Sequence, residues 1–402
     1  MHQNPELWLR PGADRRLRQG HCWIYSNEID SQRSPLGEFS AGDAVNVTSA
    51  SGQVLASAYM EPQSLICARV VDRAPDQRLS AELLTRRITA ARDLRERYYP
   101  HDNCYRLLYG DSDGVSGIVV DRYGDYLVVQ LNTAGAEHCQ GALVEALVAA
   151  LEPAGILLRA DSRSRQEQGL QSHVEVVHGQ VPERLPLVEN GVQFLAPVQQ
   201  GQKTGWFYDH RDNRARFSAQ CRGRRVLDVY SYIGGWGVQA AAAGASEVHC
   251  VDNSGPALEL VAENAELNGV AGRMTVHAGR ADAVMRELAE AGERFDAIVL
   301  DPPAFIQRKR DLGKGRKAYR RINELALALL SPGGLLVSAS CSMHLPDEDL
   351  VSAVSQASVR AGLDLRITYR GGQGADHPVH PAIPETRYLK ALFADVVPSP
   401  GG

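Results

Sequence analysis

The sequence predicts an α/β protein whose C-terminal part is a doubly wound, Rossmann-like sheet, preceded by a small β-barrel or sandwich and a central α+β domain. Three observations carry this. Beyond Gly201, strand-length apolar runs at 226–229, 247–251, 274–277, 297–300 and 335–339 alternate with helical patterns at 237–243, 257–268, 281–291 and 319–330, the grammar of a mostly parallel sheet. Four of those strands end on or lead to an acid, in the order Asp228, Asp252, Asp282, Asp301, and ligands bind at the carboxyl ends of strands in such sheets. Before about residue 75, by contrast, short apolar runs at 44–48, 54–59 and 65–71 are separated by turn signals such as Ser51-Gly52, the pattern of a small all-β unit.

The elements between these follow from period and punctuation. Leu83, Leu84, Ile88, Ala91 and Leu94 recur at helical spacing among arginines over 80–98, so an amphipathic helix joins the first unit to the second. Runs at 117–120 and 126–131 flank a turn at Tyr123, Gly124 and Asp125 and predict a hairpin, 139–151 reads as a helix, and 155–158, 174–177 and 193–196 as strands. Domains are therefore expected at 1–75, 76–200 and 201–402, with a frayed tail at 398–402.

Composition narrows the function. With 402 residues, 44% hydrophobic and 23% charged, the chain has the make-up of a soluble globular protein with more than one core. No run reaches the roughly 20 apolar residues of a membrane span, and Asn4, Pro5, Glu6 and Arg10 do not form a signal peptide, so a cytoplasmic location is expected. The seven cysteines are scattered and form no C-x-x-C pair; they read as free thiols in a reducing compartment, with no metal site. A net charge of -5 argues against indiscriminate nucleic-acid binding. Local clusters point the other way. Arg308, Lys309, Arg310, Lys314, Arg316, Lys317, Arg320 and Arg321 surround a single acid, Asp311, and Gly313 and Gly315 suggest a mobile loop there that holds phosphates. Arg10, Arg15, Arg16 and Arg18 form a second cluster.

The chemistry-bearing motifs lie at strand ends. Asp301, Pro302, Pro303, Ala304 and Phe305 follow one apolar strand, and Ser340, Cys341 and Ser342 follow another. Cys341 and Asp301 are thereby expected on one rim of the sheet as nucleophile and acid. After the first strand, Asp228 precedes Tyr230, Ser231, Gly234 and Gly235. A dinucleotide site would place its glycines first; an acid followed by glycines suits a ligand bearing an amine and a carboxylate, such as the methionine part of S-adenosylmethionine. Asp252 is placed to accept from ribose hydroxyls, and Asp282 from the adenine amino group.

The segment Gln202, Lys203, Thr204, Gly205, Trp206, Phe207, Tyr208, Asp209, His210, Arg211, Asp212, together with 226–235, resembles one family. This is the class I, S-adenosylmethionine-dependent 23S rRNA (cytosine-5) methyltransferases with an N-terminal PUA domain. The resemblance extends through 110–121, the Asp301 and Cys341 motifs, Ala375, Asp376, His377, Pro378, Val379 and Tyr388, Leu389, Lys390. It implies a PUA-like RNA-binding module at 1–75, large-subunit rRNA as partner, a homodimer, and Lys203, Thr204, Phe207, Asp209, Arg211 and Pro302 lining the cofactor site. The basic run beside Asp301 and its aromatic give the expected RNA-binding set, Phe305, Arg308, Lys309, Arg310, Lys314, Arg316 and Lys317, with Phe305 stacking on the extruded base or, alternatively, packed in the core.

The expected chemistry is thiolate addition of Cys341 to cytosine C6, which makes C5 nucleophilic, with Asp301 at the N3 edge as general acid. Many RNA cytosine-5 methyltransferases carry a second cysteine beside that acid; here Pro302 and Pro303 stand there, and the base that takes the C5 proton is not named by the sequence. Two other readings remain at this point: methylation of an exocyclic amine, with the Pro302 carbonyl as acceptor and Cys341 as packing, and a non-catalytic RNA-binding assembly factor.

Overall fold

Among the described residues, burial of the apolar strands produces three sheets and a hairpin. The structure, a computed structural model, describes residues 3–162, 165–166 and 169–398; the tail expected to fray lies outside them from Ser399 onward. The chain forms two compact units, one of Met1–Leu187, Ala196–Tyr208 and Ala375–Thr386, the other of Val188–Leu195, Asp209–Gly374 and Arg387–Gly402.

In the first unit, β1 (Glu6–Trp8), β2 (Trp23–Tyr25), β3 (Ala44–Thr48), β4 (Val54–Met60) and β5 (Ile66–Asp72) form a sheet of order β1-β3-β4-β5-β2. Leu7, Val45, Val47, Ala56, Ala58 and Ala68 close its core. A second sheet, of order β10-β9-β8-β7-β6, is built from β6 (Cys104–Tyr109), β7 (Ile118–Tyr123), β8 (Tyr126–Leu131), β9 (Gly155–Ala160) and β10 (His173–Gly179). The expected hairpin forms, Tyr123 opposite Tyr126, with Gly124 at φ 61° supplying the left-handed turn residue. The Ala81–Tyr98 helix starts at a Ser80 cap that accepts from the Leu83 amide, and it buries Leu84 and Ile88 with Leu143 and Leu147 of the Gln140–Leu151 helix. Two-stranded pairing of β11 (Arg184–Glu189) with β12 (Val192–Pro197) follows.

The second unit holds the sheet that positions the site. Its strands are β13 (Arg225–Val229), β14 (Glu247–Asp252), β15 (Met274–Ala278), β16 (Phe295–Leu300), β17 (Leu330–Ser340), β18 (Asp364–Gly371) and β19 (Lys390–Val397), in the order β15-β14-β13-β16-β17-β19-β18. The first five run parallel, and β19 is antiparallel to both of its neighbours. Both faces of the central strands are covered, so Val226, Leu227, Val229, Ile298, Val299 and Leu300 are all fully buried. This explains why these strands read as continuous apolar runs. Strand order reverses between β13 and β16, which creates a crevice beyond their carboxyl ends.

One expectation is overturned. The basic segment after Asp301 is not a loop: a 3-10 turn at Lys309–Asp311 leads directly into a helix at Leu312–Leu329, longer than the 319–330 expected. Lysine and arginine are good helix formers, and the buried side, Gly315, Tyr319, Ile322, Asn323 and Ala326, recurs at helical spacing. Gly315 is there for contact, not mobility: a Cβ on it would lie 2.0 Å from Ile306 Cγ1, and Ile306 is itself buried. Gly315→Ala is therefore expected to lower stability by about 1–3 kcal/mol through overpacking, whereas Gly313→Ala, with nothing within 4 Å of its would-be Cβ, is expected to be neutral or stabilising. Thermal or urea denaturation of the two variants checks this.

Candidate active site

The chain turns sharply as it leaves β13. Tyr230 and Tyr232 both adopt left-handed backbone angles (φ 68° and 50°), a conformation costly for aromatic residues and concentrated at functional sites. The amides of Tyr230 and Ser231 both donate to the Val251 carbonyl, which fastens the turn to β14. Gly234, also left-handed, leads into the Gly235–Ala242 helix. Gly237 in its first turn allows close approach: a Cβ there would meet Cys250 Sγ at 2.6 Å and Asp228 Oδ2 at 3.1 Å. Its bare N–H instead donates to Asp228 Oδ2 at 2.8 Å.

Asp228 is fully buried and its Oδ1 has no hydrogen-bond partner among the described residues. Burial pushes its carboxyl up to about 8, the Gly237 N–H opposing and the Asp301 and Asp252 charges reinforcing the rise. Asp252, at the end of β14, accepts from the amides of Tyr232 and Ser254, both at 2.9 Å.

Asp301 follows β16, its amide held by the Val229 carbonyl of the neighbouring strand at 3.3 Å. Trp236 Nε1 donates to its Oδ2 at 3.1 Å, and His210 Nε2 stands 3.3 Å from its Oδ1, within ion-pair reach but without hydrogen-bond geometry. Asn213 Nδ2 donates to the Gly372 carbonyl (2.9 Å) and points at His210 Nδ1 (3.0 Å). An amide NH₂ offers only donors, so His210 Nδ1 is the acceptor and the ring proton sits on Nε2, facing Asp301. Burial alone would raise the Asp301 carboxyl; His210 and Trp236 outweigh it and hold the group below the ordinary carboxylate value.

Cys341 emerges from β17, which pairs directly with β16, and is half-buried with its Sγ 3.9 Å from the Pro302 carbonyl oxygen. The turn that carries it is fixed by hydroxyls: Ser340 donates to the Tyr319 hydroxyl (2.7 Å), which shares a proton with Ser342 Oγ (2.9 Å), and Ser342 Oγ accepts the Ile306 amide (3.3 Å). The described residues form no disulfide.

Comparison with known proteins places this arrangement. The description S-adenosylmethionine-dependent methyltransferase matches residues 144–361, and PUA-like domain matches residues 7–73. A ribosomal RNA large subunit methyltransferase I of Erwinia tasmaniensis is 36% identical over 396 residues, covering 97% of this chain and 99% of the relative; its counterpart from Vibrio cholerae is 37% identical over 402 residues, covering 98% and 100%. The chain belongs to this methyltransferase family. A solved candidate S-adenosylmethionine-dependent methyltransferase from Streptococcus mutans superposes with a TM-score of 0.83 over 98% of this chain and 100% of that one at 19% identity. A candidate methyltransferase solved with S-adenosylhomocysteine gives 0.84 over the same shares, also at 19% identity. At that identity these two show the fold alone.

As a member of the methyltransferase family the protein uses S-adenosylmethionine, which supplies an electrophilic methyl group when bound. The crevice fits that cofactor: the unpartnered Asp228 Oδ1 and the Ser231 hydroxyl, which approaches only the weakly bonding Cys250 thiol, are buried polar atoms beside a glycine-rich turn.

The structure brings many of the sequence-predicted residues to one rim of the sheet. Asp228, Tyr230, Ser231, Gly234, Gly235, Asp252, Asp301, Pro302 and Cys341 lie on or beside the carboxyl ends of four adjacent strands. Asp282 sits in the first turn of the Ala281–Glu290 helix, ion-paired with Arg280 (3.1 Å) and Arg286 (2.9 Å), and Arg280 foremost holds its carboxyl below the usual range. Asp209 accepts the Tyr388 hydroxyl at 2.5 Å, and Arg211 lies 3.8 Å from the buried Glu189. Lys203, Thr204 and Phe207 belong to the other compact unit. There the Lys203 ammonium lies 4.7 Å above the Phe207 ring, and the Thr204 hydroxyl donates to Asp121 at 2.5 Å. Phe305 is half-buried and packs against Tyr319 (ring centroids 4.9 Å apart) and Tyr230 (6.5 Å). Arg308, Lys309, Arg310, Lys314 and Lys317 are exposed, while Arg316 is ion-paired with Asp349 at 2.6 Å.

Sequence reasoning missed His210, Asn213 and Trp236 around Asp301, and Tyr319 beneath Cys341. His210 stands inside the 202–212 motif and Trp236 directly after 226–235, but nothing in their spacing pairs them with an acid so far along the chain.

Asp228 gives a pH signature. Between its ordinary 3.8 and about 8 the folded protein keeps a proton that the unfolded chain has released, so stability falls as pH rises through that window. Asp228→Asn keeps an acceptor for Gly237 and removes this loss. Its melting temperature is expected to match the parent's at the acid end and to exceed it increasingly toward the alkaline end, as read by thermal denaturation of the purified protein.

Proposed function

We propose that the protein methylates C5 of a cytosine in large-subunit ribosomal RNA through a covalent Cys341 adduct at C6. The large-subunit substrate is named for the relatives, which align along essentially the whole chain. The observation that carries the cytosine chemistry is the emergence of Cys341 and Asp301 from adjacent parallel strands, with the thiol sulfur 3.9 Å from the Pro302 carbonyl.

In this reading Cys341 attacks C6, the ring becomes an enamine, and C5 gains the electron density needed to accept a methyl group. Asp301 enters as a carboxylate. Its two oxygens already face the donors of His210 and Trp236, an arrangement that favours ionisation, so it accepts from the cytosine 4-amino group and orients the N3 edge. Protonation of N3 by Asp301 would first require loading a proton onto a group whose neighbours oppose it. Water takes the C5 proton as the C6–S bond breaks, and Cys341 leaves as the thiolate.

The basic helix offers the phosphate contacts. Arg308, Lys309, Arg310, Lys314, Lys317 and Arg321 have no acid within ion-pair distance among the described residues, unlike Arg316 and Arg320, so their charges are available to RNA.

Wild-type protein with RNA containing 5-fluorocytosine and S-adenosylmethionine is expected to give a covalent complex stable to denaturing electrophoresis, and Cys341→Ala none, with 5-methylcytosine formation reduced to background. Full methylation by Cys341→Ala would refute the reading, and transfer to an exocyclic amine without any adduct would replace it. Asp301→Asn is expected to lower turnover by about 10²-fold or more.

Charge reversal at Lys314 and Lys317 is expected to weaken RNA binding uniformly across sequences. It should also flatten the log–log salt dependence by roughly 0.7–0.9 per lost phosphate contact, measured by filter binding over a salt series.

A further inference from the structure

Lys390 is the strongest unexplained group in the second unit. It is 6% exposed and begins β19, directly opposite Ser340 in the β17–β19 ladder. Its Nζ donates to the Ser342 carbonyl at 2.8 Å and to the Tyr388 carbonyl at 2.9 Å. No carboxylate lies within ion-pair distance of it among the described residues. The side chain thus bridges the two residues that flank Cys341, facing Ser340 across the ladder and bonded to Ser342. An ammonium has three donors and two are used, so one N–H stays uncommitted at the turn that carries the thiol.

A buried ammonium without a paired acid is costly, and two carbonyl contacts could be made by a neutral donor. The surrounding charges do not neutralise it. Asp347 is spent on Arg387 in an ion pair, Tyr319 approaches Cys341 from the Leu312–Leu329 helix, and Cys341 is the remaining titratable neighbour.

We propose that Lys390 is a positioning residue that keeps Cys341 in its thiolate form and fixes the turn presenting it to the base. The thiol proton leaves to solvent before RNA arrives, and the fixed positive charge holds the resulting anion until it forms the bond to C6. The idea rests on the cysteine-nucleophile reading above. Burial, with the Arg387 charge, lowers the Lys390 pKa and outweighs the opposing Asp347 and a negative Cys341; where both groups are charged, lysine and thiolate stabilise each other.

The test uses the full-length protein without RNA. Cys22 and Cys341 are the two half-buried thiols, so in a Cys22→Ser background the rate of alkylation by iodoacetamide, read at the Cys341 peptide by mass spectrometry, is followed against pH. The midpoint is expected at least about one unit below the roughly 8.5 of an ordinary thiol. Lys390→Met should raise it by about one unit or more, and Lys390→Arg should restore most of the shift. A Cys341 midpoint at or above the ordinary value in the parent overturns the proposal even if Lys390→Met fails to fold; so does a folded Lys390→Met with an unchanged profile. Alkylation requires no base addition, so a shifted midpoint together with no 5-fluorocytosine adduct would reject the nucleophile reading while leaving the coupling in place.

Discussion

The pairing of β13 with β16 is the constraint on which the site depends. These two parallel strands are adjacent at the reversal of strand order, and register sets Asp228 beside Val299 and Val229 beside Leu300. One residue later the Asp301 amide bonds back to the Val229 carbonyl. The glycine-rich turn and the Asp301 motif therefore leave the sheet side by side. Because β17 lies against the other side of β16, Cys341 joins them. A slip of one residue in this ladder would send each of these side chains to the opposite face of the sheet, so the register of β13 against β16 fixes the chemistry as well as the fold.

Around that crevice the protein treats its acids differently. Asp228 is desolvated, with only one backbone donor on its oxygens, and is held neutral near pH 7. Asp301 keeps part of its carboxyl open to water and faces an indole N–H and the His210 ring, and these hold it below the ordinary carboxylate range. The two carboxyls differ in depth and in the charge and donors that face them. Glu189 is a third solution: it is buried, gripped by Arg214 through two bonds of 2.6 and 2.8 Å and by Gln239 at 2.9 Å. That pairing anchors the Arg211–Ser218 helix, directly behind His210. Removing one partner of such a buried pair costs far more than the intact pair contributes, which makes Arg214 part of the support for His210.

Much of the fold was legible in the sequence because apolar periodicity records burial along a single element. The five parallel strands and their intervening helices appear where continuous apolar runs and helical spacing put them, within a few residues. The Arg211–Ser218 helix escaped that reading because its buried side is Arg211, Asn213, Arg214 and Phe217, a polar face with no hydrophobic period. The basic helix was shortened for the opposite reason: glycines that signal a loop in isolation are tolerated when, as at Gly315, a neighbouring side chain occupies the space where a Cβ would sit.

The sequence by itself determined the class of sheet, the acids at its strand ends and a cysteine at the end of a neighbouring strand, since each of these follows from local pattern and from the rule that strand ends line the ligand crevice. Only the tertiary structure decided which acid is charged, which residues surround it, and how the Cys341 turn is held between Tyr319 and Lys390. Those properties arise where polar side chains from distant segments meet out of water, and hydrogen bonding there leaves no periodic trace along the chain.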